Sequence, residues 1–143
     1  MRLKLVERAL WSIYAPVIND TDSAEVDCVE AFLGTHMGAH EGSCSGLIAQ
    51  MEEAIKHVNG PKALGNKLCH HVSLPDEPKI YEFIKGRLRL FWFYGNGEKI
   101  IICSHGLFKS TKKTPRAEVK KALKFREKYF DSEKNKTIII CEE

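Results

Sequence analysis

The chain has 143 residues, 43% of them hydrophobic and 29% charged, and a formal charge of +3; this composition is ordinary for a folded protein able to bury a core. No apolar run approaches the ~18 to 20 residues of a membrane span, and Met1-Arg2-Leu3-Lys4 does not open a signal peptide, so we expect one cytoplasmic domain, residues 1–143, without a membrane partner. Five cysteines, odd in number and with no Cys-x-x-Cys pair, point to reduced thiols and away from a disulfide framework.

In chain order, Arg8 to Ile18 alternates Leu10, Ser12 and Tyr14 with Trp11, Ile13 and Ala15, and Pro16 discourages a continuing helix, which predicts a first strand. Asp20 to Ser23 offers caps for a helix from about Ala24 to Leu33 with the apolar stripe Val26, Val29, Phe32 and Leu33. A second helix is expected from about Ser45 to Val58, carried by Leu47, Ile48, Met51, Ala54 and Ile55 and stopped by Asn59-Gly60-Pro61. Between them, His36, His40 and Cys44 have the spacing of zinc ligands on a helix. Gly34, Gly38, Gly42 and Gly46 recur at the same interval and favour a flexible loop over that metal site.

The second half reads as an antiparallel meander followed by a helix. KIYEFI, RLRLFWFY and KIIICSH are three successive strands, the last two joined by Gly95-Asn96-Gly97, and His70-His71 stands near the entry to the first of them. Alternation puts Arg87, Arg89, Phe91 and Phe93 on one face and Leu88, Leu90, Trp92 and Tyr94 on the other. The leucine and tryptophan face is the natural seat for the helical hairpin, which leaves the arginine face for a ligand. In the third strand Ile100 and Ile102 alternate with Ile101, Cys103 and His105. The loop from Gly106 to Lys113 is cationic, and Thr114-Pro115 pairs an N-cap with proline at the first helical position of a helix reaching about Tyr129. Lys136 to Cys141 reads as a final strand able to pair at a sheet edge.

Charge is divided unevenly along the chain. Residues 79–130 hold fourteen Lys and Arg against four Glu, a local +10, while the remainder carries −7. Such clustering is the electrostatic footprint of a polyanion partner. Arg116, Lys120, Lys124 and Lys128 lie four apart on the last helix, either as a solvated face or toward an acidic partner or phosphate backbone.

Tyr81 through Arg89, the third strand ending in His105-Gly106, and the run Phe108-Lys109-x-x-Lys112-Lys113-Thr114-Pro115-x-x-Glu118 with Ala122 resemble the HigB-like, phage-associated branch of the RelE/ParE toxin superfamily. The resemblance covers residues 79–130 well and holds upstream only in element order. It implies an α+β, RelE-like fold: an antiparallel meander sheet with an N-terminal helical hairpin on one face and a C-terminal helix. It implies further a type II toxin that cleaves mRNA on the ribosome and is held by a HigA-like or RelB-like antitoxin. The basic segment has four scattered glutamates and no clustered carboxylates for a two-metal mechanism, so neither metal nor cofactor is expected.

The chemistry left open is attack by the RNA 2′-hydroxyl on the adjacent phosphate. Arg89, the match to the toxins' phosphate-binding arginine, would clamp the phosphate; the competing role is a structural salt bridge. Lys109 and Lys112 would add charge or a proton, and His105 and Tyr129 are the acid/base candidates. Arg87, Lys113, Arg116, Lys120 and Lys124 would contact the RNA backbone. Phe91 would stack a base, or else pack under the C-terminal helix. Two other functions stay in play: a ParE-like gyrase poison without nuclease activity, and a non-catalytic nucleic-acid-binding phage module.

Overall fold

A computed structural model describes residues 1–19 and 25–141. The capping residues expected at 20–23, with Ala24, lie outside the described residues. The chain opens not with one strand but with a hairpin, β1 (Arg2–Arg8) and β2 (Ser12–Asn19). Leu3 is buried and pairs with Pro16. The parallel ladder of β2 with Ile100 to Ile102 covers Ser12 to Tyr14 and ends before Pro16, so the missing N–H of proline removes no bond there. A two-residue strand, β3 (Val26–Asp27), leads into α1 (Cys28–Met37), whose N-cap is Asp27, accepting from Glu30 N at 2.8 Å.

The predicted glycine-rich loop does not exist as such: α1 runs to Met37 and α2 (Glu41–Lys56) starts four residues on. Glycine costs a helix about 1 kcal/mol per residue relative to alanine, and tertiary burial outweighs that penalty here. Cys44 and Leu47 are fully buried, while Phe32, His36 and His40 form an aromatic group with Phe108, with His36 stacked on Phe108 at 5.3 Å. Cys44 is buried in the core with its Sγ directed at Leu33 O, and no group of three metal-binding side chains occurs among the described residues.

After a 3₁₀ turn (Gly60–Leu64) come β4 (Cys69–His71), β5 (Tyr81–Lys85), β6 (Leu88–Tyr94), β7 (Ile100–Phe108), α3 (Arg116–Lys134) and β8 (Ile139–Cys141). The sheet order is β4-β5-β6-β7-β2-β1-β8, with β2–β7 and β1–β8 parallel and the other neighbours antiparallel. The fold is the expected mixed α+β arrangement of three helices on a mostly antiparallel eight-stranded sheet, consistent with a RelE-like fold. The short edge strand β4 was not foreseen, whereas β8 does close the opposite edge beside β1. Among the described residues no helix is long and apolar enough to cross a membrane.

Both faces of the meander are covered. Leu88, Leu90 and Trp92 pack with α1 and α2 as their alternation requires. The opposite face carries a second core in which Phe91, Phe93 and Ile102 meet Ala122 and Tyr129 of α3, so the arginine face is not left open along its length. Phe91 is wholly buried, which corrects its assignment to base stacking; its alternative, packing beneath α3, is the one observed. Phe93→Ala should therefore cost about 3–5 kcal/mol. A urea titration of the two chains would read this as a fall in midpoint with unchanged slope.

Candidate nucleic-acid interface and active site

Where α3 starts, the sheet presents a row of polar side chains across four strands. His70 pairs with Glu82, Glu82 with Phe91, and Phe91 with His105, so all four residues share the α3 face. Simple alternation would have left His105 beside Cys103 on the other face. A bulge at Ser104, opposite the Phe91–Trp92 step, shifts the register and turns His105 toward α3.

Glu82 is the centre of this row, with 1% of its side chain exposed. Its carboxylate lies 3.1 Å from His70 Nε2 and 3.7 Å from Arg89 Nε, and the Thr114 hydroxyl donates to it at 3.4 Å. Burial raises its pKa, and the charges of His70, Arg89 and Lys109 oppose that rise. Thr114 thus serves the carboxylate and not the helix: the N-cap of α3 is Pro115, and no side chain caps it.

Arg89 donates through Nη1 to the carbonyls of Gly86 and Leu88, at 2.7 and 3.0 Å. Its Nε is buried and makes no hydrogen bond, so the guanidinium is drawn toward Glu82 without being locked onto it. Lys109 is brought alongside because its N–H donates to Arg87 O at 2.7 Å, extending the β6–β7 ladder into the loop. Lys112 and Lys113 are exposed in that loop, where Thr111 donates to Lys113 O at 2.8 Å. Arg87 is exposed and lies over the Phe108 ring, 6.0 Å from its centroid.

Both acid/base candidates are corrected by the structure. His105 is 8% exposed, and its two nitrogens are taken by Ser104 Oγ at 2.9 Å and Glu118 Oε2 at 2.7 Å. Burial lowers its pKa, which fits a neutral ring donating to Glu118 and accepting from Ser104. It ties β7 to the first turns of α3. Tyr129 is 3% exposed, accepts from Asn96 N at 3.1 Å, and stands against Phe93 near the β6–β7 turn, the end of β6 remote from Arg89. Its pKa is raised by burial. Arg116, partly exposed at the start of α3, is paired with Glu77. Lys120 and Lys124 remain exposed on α3.

Sequence reading missed His70 and Glu82. The available signal was Glu82 itself, an acid inside the apolar run Ile80 to Ile84, because a buried carboxylate requires partners. A larger groove of about 730 Å³ between β1, α1 and α2 is lined by both signs of charge, including Lys4, Glu7, Arg8 and Glu30, and is separate from the polar row.

The lowered pKa of His105 has a sign that can be measured. The unfolded chain takes up this proton near pH 6.5, the folded chain only at lower pH, so its contribution is complete above the ordinary histidine range and declines as pH falls toward the folded value. Denaturation midpoints from about pH 8 to about pH 5 should fall more steeply for wild type than for His105→Asn. The opposite slope contributed by the raised Glu82 is common to both chains and cancels in the comparison.

A family model described as phage derived protein Gp49-like (DUF891) matches residues 47–127. The matched segment runs from α2 into α3 and contains His70, Glu82, Arg89, His105, Lys109 and Glu118. No curated protein matches the chain. With more than half of its length inside that match, the chain belongs to the Gp49-like phage-derived family, a RelE/HigB-like toxin family of type II toxin–antitoxin systems.

Proposed function

We propose that the protein is the toxin of a type II pair and an endoribonuclease that cleaves mRNA on the ribosome without a metal. The observation that carries this reading is the gathering of Arg89, Lys109 and the partly exposed His70 around one buried carboxylate. Cleavage by the RNA 2′-hydroxyl needs three things: cations on the crowded phosphate, an acceptor for the 2′ proton, and rigid positioning. Arg89 supplies a planar fork steadied by two backbone carbonyls, and Lys109, with Lys112 and Lys113 beyond it, extends the positive field.

The proton acceptor assigned here is His70. Its Nε2 faces the Glu82 carboxylate at 3.1 Å, which leaves Nδ1 as the nitrogen not directed at it, and 41% of the side chain is exposed to a substrate. The 2′ oxygen then bonds to phosphorus as its proton passes to His70. The bond from phosphorus to the 5′ oxygen breaks, that oxygen takes a proton from water, and the hydroxide so formed takes up the proton held on His70, restoring the site. The remaining positive surface of Arg87, Lys120 and Lys124 suits the ribosomal RNA around the message. A HigA-like or RelB-like antitoxin would cover the same basic face.

Induction in bacteria followed by 5′-end mapping of mRNA tests this. New ends inside reading frames are expected for wild type, with losses of about 10²–10³-fold for Arg89→Ala and about 10²–10⁴-fold for His70→Ala. Growth arrest without new ends would contradict the nuclease and direct attention to gyrase, and unchanged growth and mRNA would favour a binding module.

A further inference from the structure

His70 belongs to two surfaces. Beside the polar row it forms one wall of a cleft of about 400 Å³, completed by Lys62, Asn66, His71, Tyr81 and Tyr94. We propose that this cleft, which opens at the β4 edge on the helical-hairpin side of the sheet, is a nucleobase subsite. It holds one base of an RNA that passes around that edge at His70 from the phosphate bound at Arg89 on the α3 side; the inference rests on the nuclease reading given above. Its size falls within the range of small-ligand sites. Its lining is two phenol rings, two imidazoles, an amide and an ammonium, with no carboxylate. That set suits a flat, uncharged ring attached to a negative backbone: aromatic rings stack on it, the amide of Asn66 both donates and accepts at a base edge, and Lys62 neutralises phosphate.

The walls are held rigidly by the fold. Tyr81 stacks on Trp92 at 4.6 Å and meets Tyr94 edge-on at 5.3 Å, while Tyr94 also contacts Trp11 at 5.7 Å. Trp11 donates to Val58 O at 3.2 Å and so fixes the segment that carries Lys62 and Asn66. The fit there depends on Gly60: it adopts φ +67°, and a Cβ would come within 2.5 Å of the Trp11 ring. The cleft is thus shaped by β4, β5, β6 and a 3₁₀ turn braced on an indole, independently of any bound molecule.

Affinity is read with a 2′-O-methylated heptanucleotide, which cannot be cleaved, and with the four nucleoside monophosphates. Asn66→Ala, Lys62→Ala and His71→Ala alter exposed side chains, and circular dichroism confirms that each variant is folded. We expect the oligonucleotide to bind wild type and to lose at least about fivefold in affinity in His71→Ala, the lower end of one lost base–aromatic contact. Asn66→Ala should redistribute cellular cut sites among bases while cutting continues. Equal oligonucleotide affinity and identical cut sites in all three variants would overturn the subsite, as would binding of free mononucleotides without binding of the oligonucleotide. If wild type makes no cuts, the nuclease reading fails, and the oligonucleotide titration still decides whether the cleft binds RNA.

Discussion

A carboxylate with 1% of its side chain exposed is expensive to bury, and the arrangement around Glu82 is the constraint to which the site conforms. Leaving such a charge uncompensated costs several kcal/mol, so β4, β6 and the loop before α3 must each bring a partner: His70, Arg89, and Thr114 with Lys109. One acidic atom pair thereby fixes the relative positions of segments that are distant in sequence. The cations it gathers are the ones a phosphate would need.

The sheet explains why these groups meet at its end and nowhere else. The helical hairpin covers one face and α3 the other, so the middle of β6 is solid core on both sides, with Trp92 and Phe93 each almost completely buried. The polar row around Glu82 is confined to the region where α3 begins and β4 forms a short edge. The Ser104 bulge completes the arrangement by redirecting His105 to Glu118, a contact that seats α3 beside the row.

Much of this was legible in the sequence. The meander, its two-faced alternation, the helical hairpin and the C-terminal helix follow from period-2 and period-3.6 patterns strong enough to survive context. The extent of α1 and α2 is not legible, because the glycine penalty at 34, 38, 42 and 46 is offset by the burial of Cys44 and Leu47, which only the folded packing supplies. The role of His105 was hidden by a bulge, which no alternation rule announces. Arg89, read from the sequence as a phosphate ligand, lies beside a polar cluster whose other members, Glu82 and His70, are brought to it only by strand pairing. Tyr129 looked chemical by residue type alone, and depth decides otherwise.

The account turns on attack by a 2′-hydroxyl without a metal, so the chemistry of the product ends is the most direct measurement. Purified protein, ribosomes and a programmed mRNA would be incubated together, and the fragments analysed by mass spectrometry. The account predicts fragments ending in a 2′,3′-cyclic phosphate paired with 5′-hydroxyl ends, and none from a message carrying 2′-deoxy at the cut position. Fragments with 5′-phosphates, or cleavage of the deoxy-substituted message, would contradict it.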